Sequence, residues 1–130
     1  MWEIESTKEF DLWLLKLDLN TKEEILAHFY LLRQKGPLLG RPFADSIQGS
    51  KIQNLKELRI QIKLKVIRIF FVFTEGRIGL LLTGGDKRGK DKRFYEEMIP
   101  MVEKIYNKWL IENKEIVDES KSKKKSNRKS

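Results

Sequence analysis

LKELRIQIKLKVIRIFFVFTEGRIGLLLTGGDKRGKD, residues 55–91, is the stretch on which the fold turns. Its first ten residues alternate. Leu58, Ile60, Ile62 and Leu64 fall on one side, and Glu57, Arg59, Gln61 and Lys63 fall on the other. A period of two with one apolar face predicts a half-exposed antiparallel strand from Leu55 to Leu64. Val66 to Phe73 is apolar on both sides except at Arg68, which predicts a central strand. Thr74-Glu75-Gly76-Arg77 is a hairpin turn signal, and Ile78 to Thr83 returns as the next strand. Gly84 to Gly89 (GGDKRG) reads as a glycine-rich basic loop.

Upstream, Trp2 to Glu5 alternates and predicts a first strand. Ser6, with Glu9 three residues on, has capping-box form. Phe10, Trp13, Leu14 and Leu17 then share one helical face. Asn20 with Glu23 repeats the cap, and Ile25, His28, Phe29 and Leu32 predict a second helix that Gly36-Pro37 ends. Residues 38–54, broken by Pro42 and Gly49, read as irregular cover. Downstream, Phe94, Met98, Met101, Val102, Ile105 and Trp109 mark a C-terminal helix. Pro100 either kinks it or lies near where its regular part begins. The expectation is an α+β chain of order β-α-α-β-β-β-α, with one domain over residues 1–115. Residues 116–130 form a basic tail too polar to pack, expected to be disordered.

The chain of 130 residues suits a single core. It has no cysteine, which excludes a disulfide framework and thiolate metal sites. No run approaches the roughly 18 apolar residues of a membrane span. The start, MWEIESTKEF, lacks the basic-then-apolar order of a signal peptide. A soluble, cytoplasmic protein is expected. The net charge of +8 is uneven: residues 120–130 hold six basic residues and no acidic one. Residues 51–68 hold six basic and one acidic, and residues 84–93 hold five basic and two acidic. Polyanions are the expected partner class. These segments put forward Lys51, Lys56, Lys63, Arg88, Lys92 and Arg93 as RNA-binding residues.

Arg68 is the most informative single residue. A guanidinium among large apolar side chains must either pair, Glu57 being a candidate, or surface at a concave site where it meets a phosphate. The second reading is favoured, because the planar fork of arginine grips phosphate oxygens in two places. Arg59 on the preceding strand supports it if the two share a face; taken alone, Arg59 equally fits a solvated basic strand. Gly84 to Lys90 formally matches part of a nucleotide-binding P-loop, but Asp91 stands where Ser or Thr must hold magnesium. No nucleotide cofactor is expected. Lys87 and Lys90 still offer a phosphate cradle or a solvated turn. Tyr95 either stacks, bonds a phosphate or packs beside Phe94. His28, the single histidine, reads as a core residue. No histidine pair, histidine cluster or two-metal carboxylate set is present, so a nuclease here works without metal or cofactor.

In order and spacing, these motifs resemble the RelE/ParE superfamily of toxins, and within it HigB-like and phage-derived members. The matching elements are Leu55 to Arg59, Arg68 in VIRIFFVF, the Glu75-Gly76 turn, Ile78 to Leu82, and Lys87 with Lys90. The resemblance covers residues 1–112. It implies a small antiparallel sheet with two helices on one face and a helix at the C-terminal end. It also implies ribosome-dependent cleavage of messenger RNA by 2′-hydroxyl attack, inhibited by a cognate antitoxin, expected to be a helix-turn-helix protein. On that pattern Arg59 and Arg68 hold the phosphate, Lys87 and Lys90 neutralise charge or act as base, and Tyr95 stacks or assists. The sequence departs from the pattern at Asp86-Lys87-Arg88, where two lysines are usual, and in lacking the histidines of some HigB members. A non-catalytic nucleic-acid-binding module and a gyrase-directed toxin are the alternative readings.

Overall fold

The computed structural model describes the backbone of residues 1–129 and the side chains of residues 1–113. Its strands are β1 (Glu3–Ser6), β2 (Ala44–Ser46), β3 (Lys56–Ile62), β4 (Lys65–Thr74) and β5 (Ile78–Asp86). Its helices are α1 (Lys8–Leu15), α2 (Leu19–Lys35) and α3 (Asp91–Lys129), with a short 3-10 turn at Gly36–Leu38. The side chains of the expected tail, residues 116–130, lie outside the described residues. No described helix is long and apolar enough to cross a membrane.

The strands form one sheet in the order β1-β5-β4-β3-β2. β2 through β5 pair antiparallel, whereas β1 lies parallel to β5 at the far edge. β2 is an addition to the order read from sequence; three residues after Pro42 are too few to show a period. β3 ends at Ile62, because Lys63 and Leu64 form the two-residue turn to β4. Leu64 is therefore exposed rather than the next core position of β3.

Each face of the sheet is covered, which explains why β4 is apolar on both sides. Ile60, Ile67, Ile69, Phe71 and Leu81 meet Phe10, Ile25 and Leu32 of the helix pair. Phe70, Val72, Leu80 and Leu82 meet Phe94, Val102 and Ile105 of α3 on the opposite face. Each such side chain contributes about 1.5–3 kcal/mol when withdrawn from water. A register shift between Phe70 and Phe71 makes Leu82 the extra residue of a bulge, and Leu80 and Leu82 both pack against α3.

Both helix caps are displaced from the positions read in sequence. Thr7, not Ser6, caps α1 by accepting from the Phe10 N–H at 3.1 Å, because Ser6 is already in register with Leu81 as the last residue of β1. Asp18, not Asn20, caps α2, accepting from the Thr21 N–H at 2.8 Å and from Lys65 Nζ at 2.7 Å. α3 runs through Pro100 without ending.

Candidate functional site

Alternation along paired strands sets the site. Arg59 stands directly across from Arg68 in the β3–β4 register, and Asp45 stands across from Glu57 in the β2–β3 register. Paired positions share a face, so all four project toward the α3 side. There Arg68 is buried together with Glu57, each side chain only 7% exposed. Arg68 Nε lies 3.5 Å from Glu57 Oε1, an ion pair but not a hydrogen bond, and among the described residues Nε has no hydrogen-bond partner. Arg68 Nη1 donates to the Ile67 carbonyl at 3.0 Å.

The first turn of α3 closes the arrangement. The Tyr95 hydroxyl donates to Glu57 Oε1 at 2.6 Å. Burial, and then this bond to a carboxylate, push the phenol up to about 12. The Lys87 ammonium lies 5.6 Å from the centre of the Tyr95 ring and 3.7 Å from Asp91. Arg59 is about one-third exposed and lies 3.9 Å from Asp45 Oδ2. Asp45 also accepts from Arg41 Nε at 2.9 Å; that bond, and then the Ser46 N–H, hold its carboxyl below the usual carboxylate range. The result is a row of alternating charges in which Arg68 is buried and the guanidiniums of Arg59 and, more so, Arg41 are open to solvent.

Arg59, Arg68, Lys87 and Tyr95 are thus gathered on one face. Arg68 takes the pairing with Glu57 that sequence left open, so it is a buried member of the cluster rather than a surface ligand. The Lys90 side chain is exposed at the end of the turn. Arg88 pairs with Asp86 at 3.5 Å and Arg93 with Glu97 at 3.1 Å, while Lys92 is exposed. Lys51 is exposed beside α3, its N–H bonded to Glu103 at 2.6 Å. Lys56 alternates with Glu57 and so belongs to the helix-pair face, and Lys63 sits in the β3–β4 turn. The described basic residues therefore do not form one continuous patch.

Two sequence readings change. Gly84 and Gly85 are not loop residues but the end of β5. A Cβ on Gly84 would stand 2.5 Å from the Trp13 ring, and one on Gly85 would stand 2.9 Å from the Phe94 ring. Their bareness admits a helix on each face. His28 is not in the core. It is half-buried at the side of α2, against Phe43, and lines a cavity that Arg59 and Arg68 also line. Asp45 and Phe43, in the stretch read as irregular, were missed altogether; only the β2 pairing gives them positions. Glu57 was foreseen as a partner for Arg68 but not as the acceptor for Tyr95. Among the described residues no group of three or more His, Asp or Glu is placed to hold a metal ion.

Residues 12–107 match the family model described as "Phage derived protein Gp49-like (DUF891)". The chain belongs to the Gp49-like family. This Gp49-like chain is 38% identical over 98 residues to "Putative toxin HigB3" of Mycobacterium tuberculosis, covering 75% of itself and 84% of that relative. It is 32% identical over 114 residues to "Putative toxin HigB2" of the same organism, covering 87% of itself but only 57% of the length of HigB2. Its fold matches that of the archaeal RelE-RelB complex from Pyrococcus horikoshii, with a TM-score of 0.54 at 15% identity over 68% of this chain and 97% of that one. The Gp49-like chain thus has the RelE-type architecture.

Proposed function

We propose that this Gp49-like chain is the toxin of a type II toxin–antitoxin pair and that it cuts messenger RNA on the ribosome. The names of its relatives support the toxin reading. The observation that carries the cleavage reading is the Arg59–Arg68 cross-strand pair, with Lys87 and Tyr95 gathered beside it. Like charges placed directly opposite destabilise a sheet. Here Glu57 offsets Arg68, and the guanidinium of Arg59 remains available to an anion.

In the proposed reaction the ribose 2′-hydroxyl attacks the adjacent phosphorus. The P–O2′ bond forms and the P–O5′ bond breaks, leaving a 2′,3′-cyclic phosphate and a free 5′-hydroxyl. Arg59 holds the non-bridging oxygens, and the buried Arg68–Glu57 pair braces the floor beneath it. Water at the open face takes the 2′-hydroxyl proton, Lys87 supplies a proton to the departing O5′ and regains one from solvent, while Lys90, exposed at the turn, meets flanking phosphates. Tyr95 keeps its proton at neutral pH and commits it to Glu57, so it serves as a stacking surface rather than as a base. The side chains carry the charge neutralisation without a metal. The partners of this reading are the ribosome with its mRNA, in the cytoplasm, and a cognate antitoxin, as the RelE-RelB complex suggests by analogy of fold.

Expression in a bacterial host with mapping of transcript ends tests the proposal. Growth arrest is expected, with new mRNA ends carrying cyclic phosphate, and relief on co-expression of the antitoxin. Arg59→Ala is expected to lower cleavage by about 10²–10³-fold, the usual cost of one oxyanion-stabilising donor, with an unchanged melting temperature. Arrest with intact transcripts and reduced DNA supercoiling would instead establish a gyrase-directed toxin. Salt-sensitive binding to intact RNA would establish a non-catalytic module.

A further inference from the structure

We infer that the cavity at the open edge of β3 is a nucleotide subsite, in which a base stacks on Phe43, Gln61 reads its edge and Arg59 holds the attached phosphate. The inference rests on the RNA-cleavage reading and extends it to a flanking nucleotide and the residues that choose it.

The edge is open for a structural reason. β2 pairs only with Lys56, Glu57 and Leu58, so among the described residues no further strand lies beside the second half of β3. The chain preceding β2 touches that edge once, where the Arg59 N–H donates to the Phe43 carbonyl at 2.8 Å. Between this contact and α2 lies a cavity of about 450 Å³, walled by His28, Arg41, Phe43, Arg59, Gln61 and Arg68 among others. That volume admits a nucleobase.

The wall chemistry matches a nucleotide part by part. Phe43 keeps 40% of its surface exposed, an apolar ring left in water among charged neighbours. The His28 ring meets it edge-on, with centroids 6.1 Å apart and planes at 63°, so it holds the Phe43 ring in place. His28 is itself anchored, because its Nδ1–H donates to the Glu24 carbonyl at 2.8 Å. In the neutral ring this leaves Nε2 as an acceptor. Gln61 is exposed and offers both a donor and an acceptor, the combination that distinguishes base edges. Asp45 holds Arg41 at 2.7 Å but Arg59 only at 3.9 Å, so Arg59 is the less engaged guanidinium for the phosphate. Arg68, more than nine-tenths buried and ion-paired with Glu57 at 3.5 Å, backs that wall. Stacking face, edge reader and phosphate grip thus occur together within one nucleotide's reach.

The single histidine makes the test direct, since the imidazole proton signals of the full chain report on this cavity alone. The protein is titrated at fixed pH with each of the four nucleoside monophosphates, and separately with inorganic phosphate. Nucleotides are expected to shift the His28 signals at concentrations at least tenfold below phosphate. Phe43→Ala, at a half-exposed position, is expected to weaken nucleotide binding about tenfold or more while leaving phosphate binding unchanged. Gln61→Ala is expected to level the differences among the four bases. Equal response to nucleotides and phosphate, or no response of His28 to either, overturns the subsite. Transcript cleavage is read separately. Arg59-dependent cleavage with a silent His28 discards the subsite and keeps the nuclease, whereas a nucleotide-responsive His28 in a chain that cuts nothing does the reverse.

Discussion

Arg68 and Glu57 show how little freedom one buried charge leaves its neighbours. Removing either partner strands the other in an apolar setting, at about 3–5 kcal/mol, whereas replacing both with apolar residues is often neutral. Urea denaturation of Glu57→Ala and Arg68→Ala is therefore expected to show losses of that size, and Glu57→Leu combined with Arg68→Met is expected to recover most of the loss. The same argument makes Arg59→Ala the cleaner probe of activity, since Arg59 is partly open and its loss leaves no buried charge. Tyr95 ties a second property to Glu57. Its folded-state value of about 12 lies above the roughly 10 of an unfolded tyrosine. The stability it adds is thus fully present below about pH 10 and is lost as pH rises toward 12. Between pH 10 and 11 the urea midpoint is expected to fall more steeply in the wild type than in Tyr95→Phe.

At the scale of the elements, β5 is defined by what it lacks. Gly84 faces Trp13 of α1 and Gly85 faces Phe94 of α3, so an added methyl on either side pushes a helix off the sheet. Gly84→Ala and Gly85→Ala are each expected to cost about 1–3 kcal/mol by overpacking, seen as a lower melting temperature. For Gly84→Ala, the combination with Trp13→Leu is expected to restore part of it. The β3–β4 turn offers the opposite change. Lys63 has φ +52° with no positive φ at Leu64, a conformation that favours glycine at the first turn position. Lys63→Gly is expected to be neutral or stabilising by up to about 1 kcal/mol. Asp18 joins elements, capping α2 and meeting Lys65 of β4. These partners, Lys65 first, hold its carboxyl far below the ordinary range. Its contribution is therefore present above about pH 4, the unfolded value, and is lost as pH falls through the lower folded value. The stability difference between wild type and Asp18→Asn is expected to shrink as pH drops from 5 to 2.

For the molecule as a whole, charge is divided between a domain of balanced sign and a strongly basic end. The described face around Arg59 interleaves carboxylates with cations, which suits a grip on one nucleotide better than a broad electrostatic track. Six of the basic residues lie in 120–130. Each phosphate neutralised on single-stranded RNA contributes about 0.7 to the salt slope of binding. Removing residues 116–130 is expected to reduce that slope by up to about 4 while leaving the melting temperature unchanged, measured by RNA binding from 50 to 200 mM salt.

The two long hairpin strands, the helix pair and the C-terminal helix were legible in the residue pattern, because a period of two or of 3.6 records only whether a position is covered. β4, apolar on both sides, announced two covering layers. The pattern did not name the layers. That Arg68 meets Glu57, that Glu57 also holds Tyr95, that Gly84 and Gly85 admit aromatic rings, and that His28 looks sideways onto Phe43 are all contacts between segments distant in the chain. Even the cap of α1 moved to Thr7 because Ser6 was claimed by a strand 75 residues away. Local order follows from local composition. A charge's partner, and hence its use, follows from which strands lie side by side.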